Sequence, residues 1–309
     1  MFRTSRILPT LRLASASLAL FLLFSSSQAL AEPVDTAQPE AAGLSLAITP
    51  FHQFDAALNS GGSLEISRLF VDVNGHKGLS EQLEAGFHFA YDYTQYHFSG
   101  PVTFLGGNSW DKIHRLELGG SVGYDLTPEW SLFIAPSLQL SRAEDAGWGN
   151  ALAYGGIISL SKDLSKELTL GLGFGAFNDL EELNFFPMIV INWKITDRLL
   201  LANPFHPGPT GPAGLELAYR MDDGWDLGVG TAYRSNRFRL AGDDAIAKSN
   251  SIPAWLRLSR NMSKKFNFDC YAGAMLGGQM SIDDRNGNRI TSASLNPAPF
   301  LAVAFSAKF

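Results

Sequence analysis

A set of charged residues lies on one face of strand-like segments in which apolar and polar residues alternate with a period of two. They are Arg115, Glu117, Lys194, Glu216, Arg220, Asp226, Arg234, Arg257 and Asp269. Charges on a common face can line a water-filled passage and set its ion preference, or they can pair with one another and fill the interior. The sequence leaves both alternatives open. Because both signs are present and no face is dominated by basic residues, a strong preference for one ion is not expected.

Groups for other kinds of chemistry are sparse. A hydrolytic site needs a nucleophile with its base in hydrogen-bond reach. Of the six histidines, His114 lies with the outward residues near a strand end, but no serine stands out as its partner. The oxygen-rich segment Asp283–Asn288 lacks the closing Glu of a calcium loop and is interpreted as an Asn-Gly turn. We therefore predict no catalytic residue, no metal site and no cofactor. The net charge of -6 argues against nucleic acid as a partner.

The start of the chain has the three parts of a secretory signal peptide. Arg3, Arg6 and Arg12 form a basic region, Leu18–Phe24 is an apolar run, and Ala29–Ala31 is an A-x-A cleavage site. The apolar run is much shorter than the roughly 20 residues of a membrane-spanning helix. Residues 1–31 are therefore expected to be removed after Ala31.

The rest of the chain alternates almost throughout. Charged residues make up 17% of the chain and aromatics 12%, whereas soluble proteins average about 25% charged residues. Strands are predicted at residues 44–54, 63–73, 82–93, 112–125, 130–141, 151–161, 167–177, 185–195, 198–205, 214–221, 225–234, 252–260, 266–277 and 299–309. About fourteen strands follow, with twelve as the alternative if the first hairpin or the hairpin at Asn203–Pro204 is not fully in the wall. Aromatic residues recur near predicted strand ends at Tyr124, Trp130, Trp225, Tyr233, Phe266 and Phe309.

The predicted connections alternate in length. Short ones fall at residues 74–81, 126–129, 162–166, 196–197, 222–224 and 262–265, and longer ones at 94–111, 142–150, 178–184, 206–212, 235–251 and 279–296. This alternation is typical of transmembrane barrels, which have short turns at one end and longer loops at the other. None of the longer loops is expected to fold deeply into the interior. In the first hairpin, Arg68 is two residues from Ile66 and four from Leu64, so in a regular strand all three side chains would have the same parity, that is, would lie on the same face. A charged residue on the face of two apolar ones predicts a bulge or face switch between Ile66 and Phe70.

The last strand carries a resemblance to a known class. Leu301, Val303, Phe305 and Ala307 alternate with smaller or more polar residues, and the run ends on Phe309. In this the chain resembles Gram-negative outer-membrane β-barrel proteins, and it looks most like an uncharacterised family of them, a domain of unknown function. The resemblance implies that Phe309 and Phe305 form the assembly signal for the barrel assembly machinery. It also implies periplasmic chaperones and outer-membrane lipids as partners, and periplasmic termini.

These observations together predict an all-β fold consisting of a single antiparallel transmembrane barrel. Residues 1–31 would form the signal peptide, 32–43 a short periplasmic segment and 44–309 the outer-membrane barrel. The favoured function is a porin-like channel or small-solute transporter of unknown substrate, since a barrel of about fourteen strands has room for a lumen. A structural or surface-interaction barrel with a closed interior is the alternative. An outer-membrane hydrolase, with His114 as the candidate base, is favoured less.

Overall fold

The structure is a computed structural model, and it describes residues 42–102, 110–205, 208, 210–241 and 245–309. The predicted signal peptide lies outside the described residues. The strands are β1 (Gly43–Ala57), β2 (Ser63–Gly78), β3 (Leu83–Ser99), β4 (Lys112–Thr127), β5 (Trp130–Ala143), β6 (Leu152–Ser165), β7 (Leu168–Asp179), β8 (Glu182–Lys194), β9 (Leu199–Ala202), β10 (Leu215–Arg220), β11 (Trp225–Thr231), β12 (Arg234–Arg239), β13 (Ile246–Asn261), β14 (Phe266–Asp283), β15 (Arg289–Ser294) and β16 (Ala298–Lys308). Across these ranges no helix is long and apolar enough to cross a membrane.

Fourteen antiparallel strands close into a barrel, as predicted, so the twelve-strand alternative is wrong. The ring closes where β1 pairs with β16, from Ser45 opposite Lys308 to Gln53 opposite Phe300. The other two strands, β12 and β15, are additions that pair with the far ends of β13 and β14. We call the end of the barrel where β1 begins and β16 ends the terminal end, and the opposite end the loop end.

The two-residue alternation separates the faces of the wall. Outward side chains of β8 such as Leu183 and Phe185 are 60% and 57% exposed, whereas Met188 points inward and is buried. Glycine on the inner face makes room for such bulky neighbours. A Cβ on Gly173 of β7 would lie 2.8 Å from Met188 Cγ, closer than real Cβ contacts come. The outer surface is therefore apolar although it is exposed, as a membrane-spanning barrel requires.

Aromatic side chains lie near both ends of this apolar surface. Tyr124, Trp130, Phe266 and Phe309 are exposed near the terminal end, and Tyr233 is exposed towards the loop end. Trp225, at the start of β11, is partly exposed. Such a distribution matches the aromatic girdles that flank the membrane-facing band of barrels.

The connections follow the predicted alternation with one clear exception. At the terminal end β4 and β5 are separated only by residues 128–129, whereas at the loop end β3 and β4 are separated by residues 100–111. The loop predicted at residues 178–184 is instead the tight turn Leu180–Glu181. Both turn residues have positive φ, 50° and 64°, as in a type I′ hairpin turn. The prediction failed because this turn type is usually marked by Asn-Gly, which is absent here.

The predicted face switch in β2 is also wrong. The strand pairs without interruption with β3, from Ser63 opposite Ser99 to Gly78 opposite Glu84. The irregularity lies in β1, between Gln53 and Ala56. Leu64 and Ile66 point inward together with Arg68, because the loop end of the interior is apolar. The prediction failed because it assumed that the apolar side chains of β2 face outward.

The wall is incomplete at β9, where the sequence predicted a weak hairpin. This strand contributes only Leu199–Ala202 and pairs with Asn192–Lys194 of β8. Asn203 then replaces the missing ladder with its side chain: its Oδ1 accepts from the Ile191 N–H at 2.8 Å, and its Nδ2 donates to the Gly214 carbonyl at 2.8 Å. Proline lacks the N–H that a ladder needs, and Pro204 and Pro212 flank the gap in strand pairing.

Candidate functional site in the barrel interior

The loop end of the interior is filled by β12, which turns back onto β13 and enters the barrel mouth. Phe238 is fully buried there, with its ring centroid 4.9 Å from that of Trp110 and 5.9 Å from that of Tyr96. We call the apolar cluster around it the plug; its buried members include Leu58, Leu64, Tyr96, Trp110, Ile113, Phe238, Leu240, Met280 and Ile282. The prediction that no loop folds inward is therefore wrong.

Ion pairs fasten β12 to the β7–β8 hairpin, and we call them the latch. The guanidinium of Arg237, only 1% exposed, contacts the Glu182 carboxylate, and its Nη2 donates to the Leu180 carbonyl at 3.0 Å. Arg239 Nη2 donates to Glu181 Oε1 at 2.6 Å, and Lys248 Nζ donates to Glu182 Oε1 at 3.1 Å. Because unpaired buried charges are costly, the latch allows two arginines to be buried in the mouth.

Below the plug lies a cavity of about 580 Å³. Its lining runs from Tyr96 and Ser249 near the plug to Asn267 and Ser306 near the terminal end. The inner face changes along this path, because plug residues such as Phe238 are fully buried whereas Lys194 and Arg220 at the terminal end have side chains 45% exposed. The barrel is thus filled at the loop end and more open at the terminal end.

One wall of the interior carries an ion-pair cluster on β2, β3 and β4. The Asp92 carboxylate contacts Arg68 and accepts from Arg115 Nη1 at 3.0 Å, while Thr94 Oγ1 donates to it at 2.8 Å. Asp92 is 2% exposed and its two arginine neighbours hold it in place. Two cations here share one carboxylate, which leaves one positive charge in excess.

A second cluster occupies the opposite wall, on β10, β13 and β14. Arg257 Nη2 donates to Glu216 Oε1 at 2.6 Å, and its Nη1 donates to Asp269 Oδ1 at 3.1 Å. Trp255 Nε1 donates to Glu216 Oε2 at 2.8 Å, so one carboxylate orients both side chains. Gly230 makes this possible, since a Cβ there would lie 2.5 Å from Trp255 Cζ2.

The nine charged residues chosen from the sequence separate into three groups. Glu117, Glu216, Asp226, Arg234, Arg257 and Asp269 line the cavity. Arg115 is buried behind Asp92. Lys194 and Arg220 lie at the terminal end, where Lys194 pairs with Asp197 at 2.8 Å and Arg220 approaches Asp226 at 3.9 Å. Pairing and open lining therefore occur together, and neither sequence alternative describes the whole interior.

Sequence reasoning missed several interior charges. Arg68, Asp72 and His88 line the cavity, and Asp92 lies just behind its wall. Alternation along the strand could have identified Asp92, since the aromatic neighbours Tyr91 and Tyr93 lie on the opposite, outward face. The latch residues had no such signal, because Arg237, Phe238 and Arg239 of β12 are all buried and the strand shows no alternation.

The remaining candidates are placed as follows. The Tyr91 hydroxyl lies 2.9 Å from His114 Nδ1, and the described contacts of His114 include no serine nucleophile. Asp283–Asn288 forms the predicted turn, with Gly287 at φ 81°. Hydrogen bonds from the side chain and backbone of Asn288 lower the pKa of Asp284 in this turn. Within the described ranges no group of three His, Cys, Asp or Glu residues is placed to hold a metal ion.

The fold and interior together define the class of protein. A closed barrel with an apolar exposed surface and charges on its inner face is an outer-membrane β-barrel. The chain belongs to the family described as Domain of unknown function (DUF6268), whose model matches residues 108–308. A search of curated proteins for sequence relatives finds no significant match.

Three solved outer-membrane structures are similar to this chain at low sequence identity. The COG4313 outer membrane channel from Pseudomonas putida F1 aligns with 90% of this chain and 100% of its own, with a TM-score of 0.50 and 14% identity. The Pseudomonas putida toluene transporter TodX aligns over 87% and 90%, with a TM-score of 0.48 and 9% identity. A Pseudomonas aeruginosa FadL homologue aligns over 86% and 89%, with a TM-score of 0.47 and 11% identity. At 14% identity, the similarity to the COG4313 channel shows a common barrel fold.

Proposed function

We propose that the protein is a channel for small solutes in the outer membrane of a Gram-negative bacterium. The observation that carries this is the cavity of about 580 Å³ enclosed by a ring of fourteen strands. Barrels of eight strands are filled by their own side chains, whereas wider barrels enclose space for ligands or water. The charges on both walls keep that space polar, so a hydrated solute can enter it from the terminal end.

The terminal end is assigned to the periplasm. Export would remove residues 1–31, and residues 32–42 would form the short periplasmic segment before β1, which begins at Gly43. Phe305 and Phe309 are 54% and 65% exposed on the outer surface of β16, where the assembly machinery could bind them. Periplasmic chaperones would hold the chain before insertion, and outer-membrane lipids would surround the finished apolar surface.

A closed structural barrel is the second candidate, and the plug favours it. Phe238, Met280 and Leu64 are fully buried at the mouth, so apolar side chains of the described residues fill this part of the loop end. The channel function requires β12 to move, and the closed barrel requires that it stay. Catalysis is part of neither candidate.

Single-channel recording of refolded protein in a planar bilayer distinguishes the two. We expect rare current steps for the wild type and more frequent or larger steps for Phe238→Ala, which removes the central ring of the plug. Ile290→Ala is the matched control, because Ile290 is also a large apolar residue near the loop end but is 62% exposed. Absence of steps in both the wild type and Phe238→Ala would establish the closed barrel.

A further inference from the structure

Arg234 differs from the other arginines of the cavity. Arg68 and Arg257 each contact a carboxylate, whereas in the described part of the chain no carboxylate lies within 4.0 Å of Arg234. Its Nη1 donates to the Pro212 carbonyl at 2.8 Å and to the Tyr233 carbonyl at 3.4 Å. No described residue accepts a hydrogen bond from its Nε or Nη2. A half-buried guanidinium therefore faces the cavity with two donors available, in the side-on geometry that binds a carboxylate with two hydrogen bonds.

The charge around Arg234 is positive. Arg68 lies near enough across the cavity to repel it electrostatically. Three guanidinium groups, those of Arg68, Arg115 and Arg234, are set against the carboxylate of Asp92 and that of Glu117, which interacts electrostatically with Arg115. This part of the cavity therefore carries a formal excess of one positive charge. The cavity carboxylates on β2 and β4, Asp72 and Glu117, lie further towards the terminal end. An anion is thus attracted to the inner part of the cavity and less to its entrance.

Aromatic rings lie beside this charge. The guanidinium carbon of Arg234 is 4.7 Å from the centroid of the Phe205 ring, and the Phe205 centroid is 5.3 Å from that of Trp255. Both rings line the cavity. Trp255 is fixed by Glu216 on one edge and by the absence of a Cβ on Gly230. Phe51 and Phe300, with centroids 5.2 Å apart, extend the aromatic surface along the wall.

We propose that the cavity beneath the plug binds a small organic anion in which a carboxylate is attached to a planar apolar ring. The carboxylate accepts from Nε and Nη2 of Arg234, and the ring packs against Phe205 and Trp255. The inference rests on the proposed function in that the ligand would be a solute of the channel.

The test is equilibrium binding of fluorobenzoate to refolded wild-type protein in detergent, followed by ¹⁹F NMR line broadening. Fluorobenzamide has the same ring without the charge, and acetate has the charge without the ring. We expect fluorobenzoate to bind at least about tenfold more tightly than fluorobenzamide, since hydrogen bonds to charged groups are the stronger ones. Acetate should displace fluorobenzoate only weakly.

Arg234→Gln should weaken fluorobenzoate binding about tenfold or more. Arg260→Gln is the matched control, because Arg260 also lies on an aromatic ring, 4.8 Å from the Trp225 centroid, but is exposed near the terminal end. Equal affinity for fluorobenzoate and fluorobenzamide would overturn the proposal without any variant, as would full binding by a folded Arg234→Gln protein. Acetate binding as tight as that of fluorobenzoate would overturn the role of the ring.

Binding and conduction fail separately. Fluorobenzoate binding in detergent with no current steps in the bilayer would refute the channel and leave the site standing. Current steps without fluorobenzoate binding would refute the site and leave the channel standing.

Discussion

Arg237 of β12 and Glu182 of β8 form an ion pair across the mouth of the barrel, between residues 55 positions apart in the chain. The pair joins the strand that carries Phe238 to a hairpin on the barrel rim. The same arginine donates to the carbonyl of Leu180, which adopts a left-handed conformation. The latch thus holds both the plug and the turn against which it closes.

Arg237→Gln is expected to loosen β12 without unfolding the barrel. Loss of the charge leaves Glu182 with Lys248 and removes a hydrogen bond worth about 1.5–3 kcal/mol when a charged group takes part. Amide hydrogen exchange of β12 should accelerate by about tenfold or more, while exchange in the β4–β5 ladder stays unchanged. Arg285→Gln, in an exposed turn at the same end, is the control. Unchanged exchange in β12 would mean that the apolar plug alone holds the strand.

Glu216→Ala should destabilise the barrel much more than a change to an exposed pair. It leaves Arg257 with Asp269 alone and Trp255 Nε1 without its acceptor, and removing one partner from a buried pair costs about 3–5 kcal/mol. Asp197→Asn breaks the exposed pair with Lys194 and should cost far less, because water screens the attraction between exposed charges. Urea unfolding of both proteins in lipid vesicles measures the difference. Equal midpoints for the two variants would contradict a structural role for the Glu216–Arg257 pair.

Gly230→Ala tests the packing of Trp255. The new Cβ would lie 2.5 Å from Trp255 Cζ2, so the ring must move, and such overpacking costs about 1–3 kcal/mol. Gly123→Ala on β4 is the matched control, since its Cβ would come no nearer than 3.9 Å to the Glu84 side chain. Near-ultraviolet circular dichroism should change for Gly230→Ala only. The prediction fails if the two variants give the same spectrum and the same unfolding midpoint.

Deletion of Phe309 should lower the amount of assembled barrel while export continues. Phe309 exchanges backbone hydrogen bonds with Leu44, its N–H donating at 2.8 Å and its carbonyl accepting at 3.3 Å, so its loss also weakens the junction of β1 and β16. The heat-modifiable, membrane-inserted form is measured by electrophoresis and the processed chain by its mass. Lys308→Ala, which keeps the terminal aromatic residue, controls for a local change in the same strand. Normal amounts of inserted protein after the deletion would refute the role of Phe309.

The wall could be predicted from the sequence and the interior only in part. Alternation requires no knowledge of distant residues, so each strand from β1 to β16 that forms the ring was found from its own segment. The plug could not be found in this way. Phe238 is buried by Tyr96 and Trp110, more than a hundred residues earlier in the chain, and the local pattern of β12 resembles a polar loop.

The charges show the same division. Parity placed Glu216 and Arg257 on one face, and the structure brings them together because β10, β11 and β13 are neighbours. Arg234 was placed on that face as well, but the sequence does not show that the described residues bring no carboxylate within 4.0 Å of it, because this depends on where the chain turns after Tyr233. Leu64 and Ile66 were assigned to the outer face because they are apolar. Alternation separates the two faces of a strand, but it does not show that the inner face is apolar near the loop end.

Because β1 pairs with β16, the strand pairings of the ring do not depend on which turn holds the two chain ends. Leu44 and Phe309 lie side by side, so a short linker could join them, and new ends could be opened at residues 128–129 between β4 and β5. Such a circular permutant would keep all fourteen ring pairings and place Phe309 in the middle of its sequence. Geometric closure of the ring and the proposed recognition of a terminal aromatic residue could then be tested separately in one molecule.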